Sequence, residues 1–98
     1  MVYAMPQNVC KHLNITIRGT VQGVFFRNSA KQEADKLGIT GFMRNESDGS
    51  VYMEIEGTER QIWVFLAWCN NGSLLARVKD MQYVEEKILQ NFTRFAIQ

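Results

Sequence analysis

The hydrophobic period switches repeatedly along this chain between two and about 3.6, and the order of those switches restricts the fold more than any single residue does. From His12 to Arg18 apolar and polar residues alternate, so Leu13, Ile15 and Ile17 share one face of a half-buried strand. Phe26, Ala30, Ala34 and Leu37 then recur at helical spacing, and Gly38 follows as a glycine does after a helix end, which predicts a helix over 26–37. Ile39 to Asn45 and Ser50 to Glu56 read as the second and third strands. In the latter, Val51, Met53 and Ile55 fall on one face and Tyr52, Glu54 and Glu56 on the other, and Glu46-Ser47-Asp48-Gly49 between the strands carries an Asp-Gly hairpin signal. Thr58 with Gln61 three residues on resembles a capping box. Ile62, Phe65, Leu66 and Cys69 supply the stripe of a second helix, closed by Asn70-Asn71-Gly72. Two extended stretches end the chain: Arg77 to Val84, whose alternation slips between Val78 and Met81 as at a β-bulge, and a last one closing with Phe95 and Ile97.

The order β-α-β-β-α-β with an added C-terminal strand is the split βαβ pattern. It predicts an α+β, ferredoxin-like sandwich: an antiparallel sheet, two helices on one of its faces, and an extra C-terminal strand. A chain of 98 residues suits one such core, read as a single domain over residues 12–98 behind a leader over 1–11. Trp63, Val64 and Trp68 widen the apolar arc of the second helix and are expected to flank the core.

Charge and cysteine content exclude several classes of function. Eleven Lys and Arg against ten Asp and Glu leave +1, without the basic face that nucleic acid requires. The longest nearly apolar run, Ile62 to Cys69, is far short of the ~20 residues that span a bilayer. The opening residues lack the pattern of a signal peptide, so the expected location is cytoplasmic, with no membrane or nucleic-acid partner and a monomeric state. Cys10 and Cys69 cannot form a disulfide framework or a zinc ribbon and read as small buried or half-buried thiols.

A right-handed crossover makes the first two strands parallel, which brings three features to one edge of the sheet: the loop Gly19 to Phe25, Arg27 at the helix start, and Asn45 at the tip of the second strand. A glycine-containing loop feeding a helix N-terminus presents free N–H groups and a positive dipole end, a ready anion site. That dipole disfavours a cation in the first turn, so Arg27 is explained either by a bound anion gripped by its planar fork or by a surface ion pair with Glu46 or Asp48.

The string Gly19-Thr20-Val21-Gln22-Gly23-Val24-Phe25-Phe26-Arg27 resembles the acylphosphatase signature G-x-V-Q-G-V-x-F-R at every fixed position. Gly41, Phe42, Asn45, Gly49, Val51 and Gly57 match a second signature of that family, and the likeness extends over roughly residues 12–97, through Trp68, Ala76-Arg77-Val78, Phe95 and Ile97. The resemblance implies a ferredoxin-like enzyme that hydrolyses the carboxyl–phosphate bond of a small acyl phosphate, without metal or other cofactor. Carried over, Arg27 binds the phosphoryl oxygens with the backbone amides of Gln22, Gly23, Val24, Phe25, Phe26 and Arg27, and Asn45 holds the attacking water. Two positions depart from the family pattern: Met43 stands where a smaller residue is usual, and Gly72-Ser73 replaces Gly-Pro. The competing reading is a non-catalytic module that binds an acyl phosphate or carbamoyl phosphate.

The residues suit this chemistry by what they omit. Phosphoryl transfer leaves the protein mainly positioning and charge stabilisation to do. A carboxylate leaving group, with a pKa of about 4–5, departs without a general acid. His12, the sole histidine, lies at the far end of the first strand, roughly 20 Å from Gly19, and is expected to be structural. Asn45 can orient a water but not take its proton, which leaves the substrate phosphate as the acceptor. Glu46 and Asp48 belong to the hairpin turn rather than to a magnesium site. Phe25 and the loop around Gly72 are the candidates for contact with the acyl group.

Overall fold

The computed structural model describes residues 9–23, 26–72 and 76–98. Seven elements run in the order β1 (Cys10–Thr20), α1 (Phe26–Leu37), β2 (Thr40–Asn45), β3 (Val51–Thr58), α2 (Glu59–Asn71), β4 (Arg77–Glu86) and β5 (Phe95–Ile97). The first helix has the bounds its periodicity predicts, while β1 begins two residues earlier than the alternation suggests.

The strands form one sheet in the order β4-β1-β3-β2-β5. The three pairings among β1 to β4 are antiparallel, as expected, but β5 adds to β2 in parallel, so the sheet is mixed. Joining β4 on one edge to β5 on the other requires residues 87–94 to cross the sheet. They do so over its helix-free face, where the Phe92 ring lies 5.7 Å from the His12 ring and 5.9 Å from that of Phe42.

The core lies between the other face and the helices. Leu13, Ile15, Ile17, Val51, Met53, Ile55 and Met43 meet Phe26, Ala30 and Ala34 of α1 and Ile62, Phe65, Leu66 and Cys69 of α2, all buried. The capping box is present: Thr58 Oγ1 accepts from the Gln61 N–H at 3.2 Å, and Gln61 Oε1 accepts from the Thr58 N–H at 2.8 Å. Gln61 does a second task, its Nε2 donating to Leu37 O at 2.8 Å, so one side chain opens α2 and caps the end of α1. Of the three residues expected to flank the core, Trp68 does, with its ring 5.6 Å from Phe26. Trp63 and Val64 instead face solvent, Trp63 standing edge-on to Tyr83. Cys69 is buried, whereas Cys10 is exposed at the start of β1; both are free thiols.

The bulge read from the slipping alternation sits at Lys79, the extra residue between Arg18 opposite Asp80 and Gly19 opposite Val78. Gly19 has φ +136°, and a Cβ there would lie 2.1 Å from Arg77 O and 2.7 Å from Lys79 N. Only glycine admits that approach, which aims the end of β1 toward the following loop. Among the described residues no helix is long and apolar enough to cross a membrane.

Candidate active site

β1 and β2 both run antiparallel to β3 and therefore parallel to one another, so Thr20, the start of α1 and Asn45 lie at one end of the sheet. The loop between β1 and α1 passes through buried Val21 and half-buried Gln22 to Gly23, which is exposed with φ +73° and has open space where a side chain would stand. Here the left-handed backbone and the room for a close neighbour both call for glycine. Val24 and Phe25 lie outside the described residues, so their expected amides and the acyl-contact role of Phe25 have no structural description; the same holds for Ser73 beside Gly72.

α1 opens with buried Phe26 and half-buried Arg27 and has no acidic residue in its first turn. A cavity of about 210 Å³ at this terminus is lined by Val21, Gly23, Phe26, Arg27 and Asn28. The alternative explanation of Arg27, an ion pair with the hairpin, does not hold. Glu46 pairs with Arg44 at 2.9 Å, and Asp48 lies 3.8 Å from Arg18. Arg27 has no Asp or Glu partner among the described residues. Its Nη1 donates at 3.2 Å to the main-chain oxygen of Gln98, which steadies the guanidinium. Lys31, one turn on, donates to Phe95 O at 2.9 Å as well as pairing with Asp35 at 3.0 Å. Two cations of α1 thus grip main-chain oxygens at the start of β5 and just beyond its end.

Asn45 ends β2 on the face that Met43 shares, pairing with Val51, and its side chain is exposed with no hydrogen bond among the described residues. It is not part of the cavity lining. The structure therefore groups Gly23, Phe26 and Arg27 directly and sets Asn45 at the same end of the sheet, on the β2–β3 hairpin and outside that lining. Sequence reasoning missed Asn28 and the Gln98 carbonyl. No periodicity or glycine marks either, although Asn28 adjoins Arg27 in the first turn.

His12 is at the other end of the sheet, buried to 2% exposure. Its Nδ1 lies 2.8 Å from Glu56 Oε2, and its Nε2 lies 2.8 Å from Asn14 Oδ1 and 3.1 Å from Glu54 Oε1. Burial alone lowers the pKa of the ring, but the bonds to Glu56 and Asn14 and the charges of Glu54 and Glu56 outweigh it and raise the value above 6.5. Glu56 moves the opposite way: burial opposes its charge, yet His12 and the N–H groups of Gln90 and Phe92 hold it below the ordinary carboxylate value. The expectation that His12 is structural fits this geometry. Among the described residues no group of His, Cys, Asp and Glu is arranged to hold a metal ion.

Residues 13–97 match the family model described as Acylphosphatase. The chain belongs to the acylphosphatase family. An acylphosphatase of Methylococcus capsulatus is 40% identical over 87 residues, which cover 89% of this chain and 95% of that one. The crystal structure of acylphosphatase from Bacillus subtilis superposes with a TM-score of 0.88 at 35% identity, covering 90% of this chain and 98% of its own. An acylphosphatase from Coxiella burnetii gives 0.87 at 29% identity, covering 95% and 96%. Superposition over nine-tenths of the chain or more shows that this chain shares the fold of both.

Proposed function

We propose that this chain carries out the acyl-phosphate hydrolysis of its family at the α1 terminus, with Arg27 and the loop amides from Gln22 to Arg27 binding the phosphoryl group and Asn45 orienting the attacking water. The observation that carries the assignment is Arg27 itself: a guanidinium in a first helical turn, beside a glycine-lined cavity, with no Asp or Glu side chain to balance it among the described residues. A dianionic phosphoryl group supplies that balance, and the planar fork grips two of its oxygens.

In a loose transition state negative charge spreads over the phosphoryl oxygens, where fixed N–H donors and Arg27 need no reorganisation to receive it. The carboxylate leaves unprotonated. The amide oxygen of Asn45 accepts a hydrogen bond from the water and aims its lone pair at phosphorus, and the water's proton passes to a phosphoryl oxygen as the new P–O bond forms. No general base is needed, and His12 is too far to serve as one. The substrate is a small acyl phosphate, met by a monomer in the cytoplasm; its near-neutral net charge fits one local cradle rather than a long basic surface.

Purified protein is expected to turn over benzoyl phosphate steadily, with unchanged rate in EDTA and a rate profile that shows no enzyme group titrating between pH 5 and 8. Stoichiometric protection of the ligand without turnover would assign a binding module instead. Loss of activity in EDTA, restored by magnesium, would replace the metal-free mechanism.

A further inference from the structure

The cavity lining and Asn45 belong to different elements, and one side chain joins them. Gln22 Nε2 lies 2.8 Å from Glu46 O and 2.8 Å from Ser50 O. These carbonyls immediately follow and precede Asn45 and Val51, the last paired residues of the β2–β3 hairpin. Each already accepts one bond inside the turn, Ser50 O from the Glu46 N–H at 2.8 Å and Glu46 O from the Gly49 N–H at 3.1 Å. The Gln22 amide fills the second lone pair of both, and both of its own hydrogens are used. Because the two partners are acceptors, the nitrogen rather than the oxygen must face them.

We infer that Gln22 is a positioning residue for Asn45: its side-chain amide fixes the water-holding hairpin to the phosphate-binding loop, so that one rigid unit sets the distance between water and phosphorus. The inference rests on the assignment of Arg27 and Asn45 above. Its physical basis is that the flanking main chain on both sides of the Asn45–Val51 pair is held by a residue whose own N–H adjoins Gly23. The β1–β3 ladder stops at Ile17 opposite Val51, short of the loop that carries Gln22, and the charged link across this end of the sheet is weak. Arg18 to Asp48, at 3.8 Å between two side chains about half exposed, is a pair of small worth. Displacing a reacting group by about 1 Å costs on the order of 10²-fold in rate, so a tie that stabilises the fold only modestly has a large kinetic effect.

The chemistry dictates which replacements fail. Gln22→Ala removes both donors. Gln22→Glu keeps the shape but turns a carboxylate oxygen toward two carbonyl oxygens, so it is at least as damaging as alanine. Gln22→Met, near in volume and without donors, replaces alanine in the series if the alanine variant does not fold.

The test is a double-mutant cycle with Asn45→Ala, on variants whose folding is confirmed by circular dichroism, using benzoyl phosphate as substrate and inorganic phosphate as competitive inhibitor. Gln22→Ala is expected to lower kcat by about 10- to 100-fold in the parent while changing the phosphate inhibition constant by less than about 3-fold, and to lower kcat by less than about 3-fold further once Asn45 is alanine. Equal losses in both backgrounds, or a phosphate constant that weakens in step with kcat, overturn the inference and leave the roles of Arg27 and Asn45 standing. If Asn45→Ala alone turns over at the parent rate, the role of Asn45 fails first, and the inference with it. If Gln22→Glu matches the parent, the donor geometry is not what matters and the inference is overturned.

Discussion

The two ends of the sheet treat their polar groups in opposite ways. At the end holding His12, each charge has its partner within the protein: the imidazole lies between Glu56, Asn14 and Glu54, and Glu56 in turn accepts from the Gln90 and Phe92 N–H groups of the crossing segment. At the end holding Arg27 the polar groups face outward. Among the described residues Asn45 has no hydrogen bond and Arg27 has only the main-chain oxygen of Gln98, and Gly23 opens onto a cavity. The difference teaches where binding energy remains to be gained. The His12 cluster is a clamp, holding residues 87–94 across the helix-free face so that β5 reaches the far edge beside β2. In the proposed function an anion completes the Arg27 end. The one histidine of the chain is thus spent on architecture.

Substitution at Arg27 is the strongest way to break this comparison. Arg27→Ala is expected to lower kcat/KM by about 10³-fold or more, roughly 4 kcal/mol of transition-state stabilisation, with little change in melting temperature, because no Asp or Glu among the described residues pairs with the guanidinium and its one bond is exposed. His12→Gln is expected to do the reverse, lowering the melting temperature while turnover stays near the parent value. Steady-state kinetics paired with thermal unfolding reads both; parent-rate hydrolysis by Arg27→Ala would erase the distinction.

A smaller effect is expected at Gly19, where the site end makes a steric rather than an electrostatic demand. Gly19→Ala forces a Cβ to within 2.1 Å of Arg77 O at a φ of +136°, and the β1–β4 bulge has to open. A loss of about 2 kcal/mol or more, on the order of a 10 °C fall in melting temperature, is expected by calorimetry. An unchanged melting temperature would mean that the bulge yields freely.

The smallest effect is in pH dependence. His12 binds its proton more tightly folded than unfolded, so its contribution to stability is full below its unfolded value near 6.5 and is lost as pH rises through its raised folded value. Glu56 is lowered, so its contribution is full above about 4.5 and is lost as pH falls through its folded value. Both are in place between those limits. Urea unfolding of the parent is expected to show stability declining as pH rises above 6.5, with a shallower decline in His12→Gln; identical slopes would remove the clamp's ionic character.

Much of this architecture is legible in the sequence because it rests on periodicity and on local turn chemistry. The bounds of α1, the Thr58–Gln61 capping box and the bulge near Lys79 follow from residues close together in the chain. The parallel placement of β5 does not, since it depends on a crossing segment with no regular period, pinned by Glu56 from 34 and 36 residues away. The exposure of Trp63 and Val64 was equally hidden: helical spacing gives the width of an apolar arc but not how much of it the sheet covers. At the site, the loop glycines, Arg27 and Asn45 are legible as residue types. The long side-chain bonds of Gln22 to the hairpin and of Lys31 to Phe95 O are not, because a hydrogen bond between distant elements leaves no pattern in either.

The account stands most directly on where phosphate binds. In a titration of the protein with inorganic phosphate followed by amide NMR, saturable shifts are expected at Gly23, Phe26 and Arg27, with His12, Glu56 and Phe92 unmoved and the shifts abolished in Arg27→Ala. Shifts that persist undiminished in Arg27→Ala, or that gather around His12 instead, would contradict it.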